Sequence, residues 1–109
     1  MESNIPIYEL LNKIENRPEL YIGEKSIIKL RIYLMGFAYG LTYPDLNEPL
    51  SDFQLFIEYK YNNSRRTALG WDSILLKYTN GNEEMALNLF FKELKIFMLE
   101  NNIKFFENR

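Results

Sequence analysis

Apolar residues recur along this chain at intervals of three and four, the spacing that marks one face of an α-helix. The stripe nearest the start contains Ile7, Leu10, Leu11 and Ile14. Later stripes predict four more helices, at about residues 26–41, 51–62, 71–78 and 83–101. No segment shows a convincing strand pattern. The sequence therefore predicts an all-α fold, a compact single-domain bundle of about five helices covering residues 1–109.

The helix predicted at about residues 26–41 has apolar residues on two sides. One stripe contains Ile27, Leu30, Leu34, Phe37, Ala38 and Leu41, and the other contains Ile28, Ile32, Met35 and Tyr39. Because a helix that is apolar on two sides is normally buried, we expect this one at the centre of the bundle. Gly36 and Gly40 each cost about 1 kcal/mol relative to alanine, so we expect another helix to cross there. The alternative is that Gly40 begins the end of the helix.

The last predicted helix carries two apolar stripes of unequal width. The main stripe contains Leu87, Phe90, Phe91, Leu94, Phe97 and Met98. The thinner one, Met85, Leu89, Ile96 and Leu99, is broken by Lys92. It is either partly solvated or covered by the later residues Ile103, Phe105 and Phe106. Of the other aromatic residues, Trp71 is expected to anchor the core and Tyr21 to pack against it.

Residues typical of helix caps precede three of the predicted helices. Ser26 follows a loop that carries Pro18 and Gly23, and its hydroxyl is placed to accept a hydrogen bond from the first free amides. Ser51, with Gln54 three residues later, has the spacing of a capping box. Asn82 is expected to cap the last helix, which then begins with two acidic residues.

The composition excludes several kinds of chemistry. The 109 residues include no histidine and no cysteine, which excludes Ser-His-Asp catalysis, Cys-His catalysis and thiolate metal sites. No glycine-rich phosphate loop, EF-hand spacing or nucleophile elbow occurs. Glu83 and Glu84 are adjacent in a first helical turn, where they favour the helix dipole rather than an acid–base pair. The sequence predicts a protein that is not an enzyme and that needs no cofactor and no metal.

Charge and hydropathy narrow the range of partners. The formal net charge of -2 argues against a nucleic-acid partner, because such binding depends on neutralising phosphates. No apolar run approaches the roughly 20 residues that cross a bilayer, and the start of the chain lacks a secretory leader pattern. We therefore expect no membrane partner and a cytoplasmic location. Arg65 and Arg66, the only adjacent basic pair, are interpreted as part of a solvated loop.

A candidate partner-binding surface lies around the third predicted helix. From Thr42 to Tyr59 the chain has four acidic residues and no basic one. If Phe53, Phe56 and Ile57 of this helix face inward, its two acidic residues face outward together with one leucine and one tyrosine. Apolar anchors with a charged rim are typical of protein interfaces. The candidate residues are Asp45, Glu48, Asp52, Leu55, Glu58 and Tyr59. The alternative is an ordinary solvated helix face with Leu55 covered by a loop.

Several blocks of the sequence resemble a known protein family. The first block is Arg17, Pro18, Tyr21, Ile22, Gly23, Ser26, Ile27 and Leu30, followed by Leu34, Gly36 and Phe37. The later blocks are Phe53, Phe56, Ile57 and Tyr61, then Gly70, Trp71 and Ile74, and finally Glu84, Ala86, Phe90, Phe91, Leu94 and Phe97. Together, over roughly residues 17–97, they are similar to small bacterial immunity proteins, the antidotes encoded beside polymorphic toxins such as those of contact-dependent growth inhibition.

The resemblance implies an inhibitor that acts by binding. Such a protein neutralises a cognate toxin domain by covering its active site or its access to substrate, and no catalytic residue is implied. If the toxin is a nuclease, its basic groove would attract carboxylates on the antidote. A function of a different class stays open, a small regulatory or adaptor module that forms a homodimer through the thinner stripe of the last helix.

Overall fold

The structure, a computed structural model, describes residues 5–42, 50–63 and 65–103, with side chains for residues 7–37, 50–63 and 65–103. Within this part the chain forms six α-helices and no strand. The helices are α1 (Ile5–Asn16), α2 (Pro18–Ile22), α3 (Ile27–Thr42), α4 (Ser51–Tyr61), α5 (Trp71–Tyr78) and α6 (Glu83–Glu100). The predicted all-α fold is confirmed, with five of the six helices close to their predicted positions.

Helix α2 occupies a segment that the sequence indicated as a loop. Pro18 begins the helix, where its missing amide donor is harmless. Gly23 ends it with φ +84°, and its N–H donates to the carbonyl of Glu19 at 3.1 Å. Five residues form little more than one turn, which is too short for a periodic apolar pattern to develop.

One core holds the helices together, and the Phe53 ring on α4 lies at its centre. The ring centroids of Phe90 and Phe97 on α6 lie 5.3 Å and 5.6 Å from that of Phe53, both in edge-to-face geometry. Trp71, fully buried at the start of α5, stacks on Phe90 with centroids 4.7 Å apart. The prediction that Trp71 anchors the core is confirmed. Tyr21 is half-buried and packs against the core, as predicted.

Helix α3 is not the central helix that its two stripes predicted. Ile27, Leu30 and Leu34 are fully buried, so one stripe faces the core. Ile28, Ile32 and Met35 of the other stripe are exposed, because the described side chains of α3 pack against α2, α5 and α6 with one side only, while the side chain of Tyr39 lies outside the described residues. The crossing predicted at Gly36 is absent, since no described atom lies within 4 Å of the place where a side chain would begin. The helix continues past Gly40 to Thr42, and the surroundings of Gly40 lie outside the described side chains.

Two of the three predicted caps are present. The Lys29 N–H donates to the Ser26 hydroxyl at 3.2 Å, and the Met85 N–H donates to Asn82 Oδ1 at 2.9 Å. The capping box at Ser51 is wrong, because Ser51 is already the first helical residue. The preceding residue, Leu50, is in the left-handed conformation with φ 64° and its side chain is buried. A buried apolar residue in the left-handed conformation, rather than a polar cap, therefore precedes α4.

The thinner stripe of α6 is partly solvated. Leu89 is half-buried against the core and Ile96 is half-buried, whereas Met85 and Leu99 near the two ends are exposed. Ile103 packs against the core, while Phe105 and Phe106 lie outside the described residues. None of the helices in the described segments has the length and apolar character needed to cross a lipid bilayer.

Candidate partner-binding surface

The outer face of α4 presents three of the six residues that the sequence singled out. Asp52, Leu55 and Tyr59 are spaced by three and four residues and so share one side of the helix. Leu55 is 46% exposed, Tyr59 is 72% exposed, and Asp52 is also exposed. The opposite side of α4 buries Phe53 and Ile57 completely. The predicted outward orientation is confirmed for these three residues.

The other three predicted residues do not extend this face. Asp45 and Glu48 lie outside the described residues. The outward orientation predicted for Glu58 is wrong, because this residue is only 2% exposed. The chain that follows α4 folds back over the side of the helix that carries Glu58, a path that a helical wheel of α4 alone cannot show.

Three neighbours hold the Glu58 carboxylate. Gln54 Nε2 donates to Glu58 Oε2 at 2.8 Å and to the carbonyl of Leu69 at 3.0 Å. Arg66 Nε lies 2.6 Å from Glu58 Oε1, an ion-pair distance, although Oε1 has no directed hydrogen bond. Burial favours the neutral acid, but the Gln54 bond, the Arg66 charge and the Thr67 backbone outweigh it and lower the pKa of Glu58. The carboxylate is therefore charged and locally compensated.

The acidic character of the surface is consequently smaller than the sequence predicted. Glu58 is neutralised by Arg66 and turned away from solvent, so it adds little to the field in front of α4. Within the described part of this face, Asp52 carries the exposed negative charge. The surface is better characterised by its apolar anchors, Leu55 and Tyr59, than by its charge.

The end of α4 is attached to α6 through a second buried carboxylate, Glu93. Lys60 Nζ donates to Glu93 Oε1 at 2.7 Å, and the Tyr61 hydroxyl donates to Oε2. Burial and the Glu93 carboxylate raise the pKa of Tyr61, so the hydroxyl remains a donor across the ordinary pH range. The Tyr61 ring also meets the Tyr78 ring of α5 edge-to-face, with centroids 4.8 Å apart. Helix α4 is thus fixed on both of its flanks.

Sequence reasoning missed the two residues that fix these flanks. Arg66 was interpreted as part of a solvated loop, and nothing in its spacing relates it to Glu58. Glu93 offers a signal, because it lies three residues after Phe90 and four before Phe97 and so shares the buried side of α6. A glutamate on a helix side lined with phenylalanines indicates a buried ion pair, since such a charge is rarely buried without a partner.

Neither a metal cluster nor a carboxylate pair is assembled among the described residues. No group of three or more aspartate, glutamate, histidine or cysteine side chains among them is placed to hold a metal ion. Glu83 accepts a hydrogen bond from the Ser26 hydroxyl, while Glu84 lies 3.7 Å from Lys25 Nζ in an exposed ion pair. These adjacent carboxylates therefore have separate partners. The arrangement on α4 suits binding of another protein surface, through one leucine and one tyrosine held on a fixed helix.

Comparisons of the chain with protein-family models, with curated proteins and with solved structures found no match.

Proposed function

We propose that this chain is a cytosolic immunity protein that binds a cognate toxin domain and blocks its active site or its access to substrate. The resemblance over roughly residues 17–97 supports this class of function. The outer face of α4 supports the mode of action, because it displays two apolar anchors that the fold itself leaves unused. Inhibition by contact needs only a complementary surface and no reactive side chain.

The observation that carries the proposal is the exposure of Tyr59 and Leu55 on a helix whose flanks are fixed. Tyrosine is enriched among the residues that dominate binding energy, because its ring offers a large contact area with few rotatable bonds. A fixed helix loses little conformational freedom when it binds, so more of the contact energy appears as affinity. The ion pairs at Glu58 and Glu93 supply this rigidity.

Charge has a secondary role in the proposed complex. Asp52 lies on the same side of α4 as the two anchors, where it would meet a basic groove if the toxin is a nuclease. A carboxylate at the rim of an interface mainly accelerates association and makes it sensitive to salt. Asp45 and Glu48 would add to this effect, whereas the compensated carboxylate of Glu58 would not.

The experiment combines a growth-rescue assay with binding of the toxin domain encoded next to this gene. We expect Tyr59→Ala and Leu55→Ala each to weaken affinity by about tenfold or more, the loss typical of central interface anchors. Leu20→Ala on α2 is the matched control, because Leu20 is 69% exposed and lies outside the α4 face. All three variants should melt like the parent protein, since none of these side chains contributes to the core.

Two outcomes would contradict different parts of the proposal. If the purified chain neither binds the neighbouring toxin nor protects cells from it, the immunity function is wrong. If it binds and protects, but the two α4 variants match the Leu20→Ala control, the function stands and the α4 face is wrong. For the role of charge, Asp52→Lys should slow association more than Glu19→Lys, which also reverses an exposed acid in a first helical turn.

A further inference from the structure

Two ion pairs at the end of α4 are arranged with the carboxylate inside the protein and the cation outside. The side chains of Arg66 and Glu58 are 75% and 3% exposed. Those of Lys60 and Glu93 are 41% and 4% exposed. A molecule that approaches from solvent therefore meets the positive end of each pair first. Because Coulomb energy falls with distance, such a pair attracts a nearby anion although its total charge is zero.

Tyr59, the more exposed of the two apolar anchors on α4, lies between these ion pairs. Glu58 precedes Tyr59 by one position and Lys60 follows it by one, and successive helical residues are turned by about 100°. The pair of Arg66 with Glu58 therefore lies on one flank of the tyrosine, and Lys60 lies on the other. Asp52 is seven residues earlier, about 10 Å along the helix axis. The outer face of α4 thus begins with an exposed carboxylate and ends with an exposed ring between two cations.

Arg66 has hydrogen-bonding capacity that the fold leaves unused. Its Nε lies 2.6 Å from Glu58 Oε1, so the ion pair uses the inner edge of the guanidinium. Among the described residues, no acceptor takes a hydrogen bond from its two terminal NH2 groups. An arginine has five N–H donors in a rigid planar fork, and one edge of that fork matches both oxygens of a carboxylate. Glu58 therefore holds this arginine while the outer edge of the fork remains for another carboxylate.

We propose that the protein bound by the α4 face places a carboxylate on the terminal edge of Arg66, beside the pocket that receives the Tyr59 ring. This inference rests on the proposed function for one point, that the partner is a protein. It adds the chemistry of that partner, which is acidic where it meets the end of α4 and basic only toward Asp52. A partner with a uniformly basic groove would be attracted by Asp52 and repelled by Arg66 and Lys60.

A protein carboxylate suits this position better than the phosphates of a nucleic acid. Nucleic-acid binding uses many cations along a stripe or patch, because its affinity comes from neutralising many phosphates. Here two exposed cations flank a single ring, and the chain as a whole has a formal net charge of -2. An arginine beside a tyrosine is instead typical of the few residues that dominate protein interfaces, since both types are enriched among them.

Affinity of the full chain for the toxin domain encoded next to this gene tests the inference. Arg66→Gln should weaken binding by about tenfold, because it removes a charge-assisted pair at the interface. Arg66→Lys should lose nearly as much, since a lysine that pairs with Glu58 has no second edge to offer. This second variant keeps the ion pair and should melt like the parent protein, so its loss of affinity is not a folding defect. Arg17→Gln is the matched control, because Arg17 is also exposed but precedes α2, and it should bind like the parent.

A peptide titration followed by NMR gives a second measurement that does not depend on the toxin. The probe is the tetrapeptide Glu-Leu-Glu-Leu with both termini blocked, and Gln-Leu-Gln-Leu is its neutral counterpart. The titration extends to about 10 mM, since a single carboxylate contact binds in the millimolar range. The acidic peptide should shift the backbone amide signals of Tyr59 and Arg66, whereas the neutral peptide should not. Arg66→Gln should abolish the shift at Tyr59.

Three results would overturn the inference. One is a toxin complex in which Tyr59→Ala loses affinity while both Arg66 variants match Arg17→Gln, a result that leaves the proposed function intact. Another is an acidic peptide that shifts signals near cations elsewhere, such as Lys13 and Lys25, as strongly as those of Arg66. The third is a DNA duplex that shifts the signals of Tyr59 and Arg66 more than the acidic peptide does, which would assign these cations to phosphate. If the toxin does not bind, the proposed function is wrong, and the peptide titration alone decides the chemistry of this surface.

Discussion

The guanidinium of Arg31 on α3 lies 2.6 Å from the carboxylate of Asp72 on α5, and the two side chains are largely buried. The same guanidinium lies over the Trp71 ring, 5.2 Å from its centroid. Gly70 makes this arrangement possible, because a side chain there would overlap both the Arg31 guanidinium and the Asp72 carboxylate. One glycine thus permits the contact that joins α3 to the start of α5.

We expect Gly70→Ala to lower the free energy of unfolding by about 1–3 kcal/mol, the range for disrupting a partly buried, charge-assisted hydrogen bond. The backbone of Gly70 has φ -75°, which alanine adopts without strain, so the cost comes from displacement of the arginine. Urea unfolding of Gly70→Ala, Arg31→Met and the double variant measures the coupling. Much of the Gly70→Ala effect should vanish in the Arg31→Met background. Additive effects would contradict this explanation.

Because Arg66 and Glu58 form an ion pair, the loss of stability on replacing Arg66 should depend on pH. The pKa of Glu58 is lowered from its ordinary value of 4.5, so the pair stabilises the fold above that pH and its contribution disappears as the pH falls through the lowered pKa. We expect Arg66→Met to cost about 0.2–1 kcal/mol at pH 7, a modest value because Arg66 is 75% exposed. The cost should shrink in acid.

Arg65→Met is the control for this measurement, because Arg65 is an exposed neighbour whose side chain does not hold Glu58. Urea unfolding of both variants at pH 7 and at about pH 3, below the usual titration range of glutamate, gives the comparison. Equal stabilities for the two variants at pH 7 would show that Arg66 does not hold the Glu58 carboxylate in solution.

Tyr8 on α1 predicts a loss of stability in alkali. Burial, and secondarily the negative charge of Asp52, raises the pKa of Tyr8 to about 12 from 10.0. A group with a raised pKa contributes its full stability below the unfolded value, and this contribution is lost as the pH rises from about 10 toward about 12. A difference of two pKa units corresponds to about 2.7 kcal/mol. The free energy of unfolding of Tyr8→Phe should therefore fall less than that of the parent protein between these pH values, as measured by urea unfolding at each pH.

Tyr59→Phe serves as the comparison for the alkaline experiment, since it removes the same hydroxyl from an exposed ring. It should retain the pH dependence of the parent protein. An unchanged alkaline slope in Tyr8→Phe would mean that this hydroxyl is not buried in the folded protein.

The sequence indicated both Asn82 and Ser51 as helix caps, and the structure predicts different effects on stability when each is replaced. Asn82 Oδ1 accepts from the Met85 amide, so Asn82→Ala should lower the free energy of unfolding by about 1 kcal/mol. Ser51 makes no cap contact, so Ser51→Ala should change stability by less than about 0.5 kcal/mol. Thermal unfolding of the two variants side by side checks this pair. A larger loss of stability in Ser51→Ala would support the capping box that the sequence predicted.

Local periodicity predicted five of the helices of the described structure well, but it missed the shortest helix and one of the helix caps. The pattern from Trp71 to Tyr78 predicted α5 with the bounds that it has, because its apolar side faces a single core. Helix α2 was missed because five residues contain too little of a helical period. A buried Leu50, rather than Ser51, is the residue before α4, and burial against other helices is not visible in the local pattern.

The candidate surface was predictable only where it depends on the periodicity of a single helix. Helical spacing placed Leu55 and Tyr59 on the outer face, since orientation along one helix depends on that helix alone. The burial of Glu58 depended on residues 65–69 folding back against α4. A helical wheel of α4 alone contains no information about that segment. The arginine that covers it is eight residues away in the sequence and in direct contact only after folding.

The order of residues by itself determined that this chain forms amphipathic helices, that Trp71 and most of the helical phenylalanines are buried, and that histidine and cysteine chemistry is absent. Tertiary structure alone decided which of the two apolar sides of α3 meets the core, and which carboxylates are covered. The physical reason is that burial is a property of pairs of surfaces. A sequence specifies each surface, but only packing in three dimensions decides which surfaces meet and which remain for another molecule.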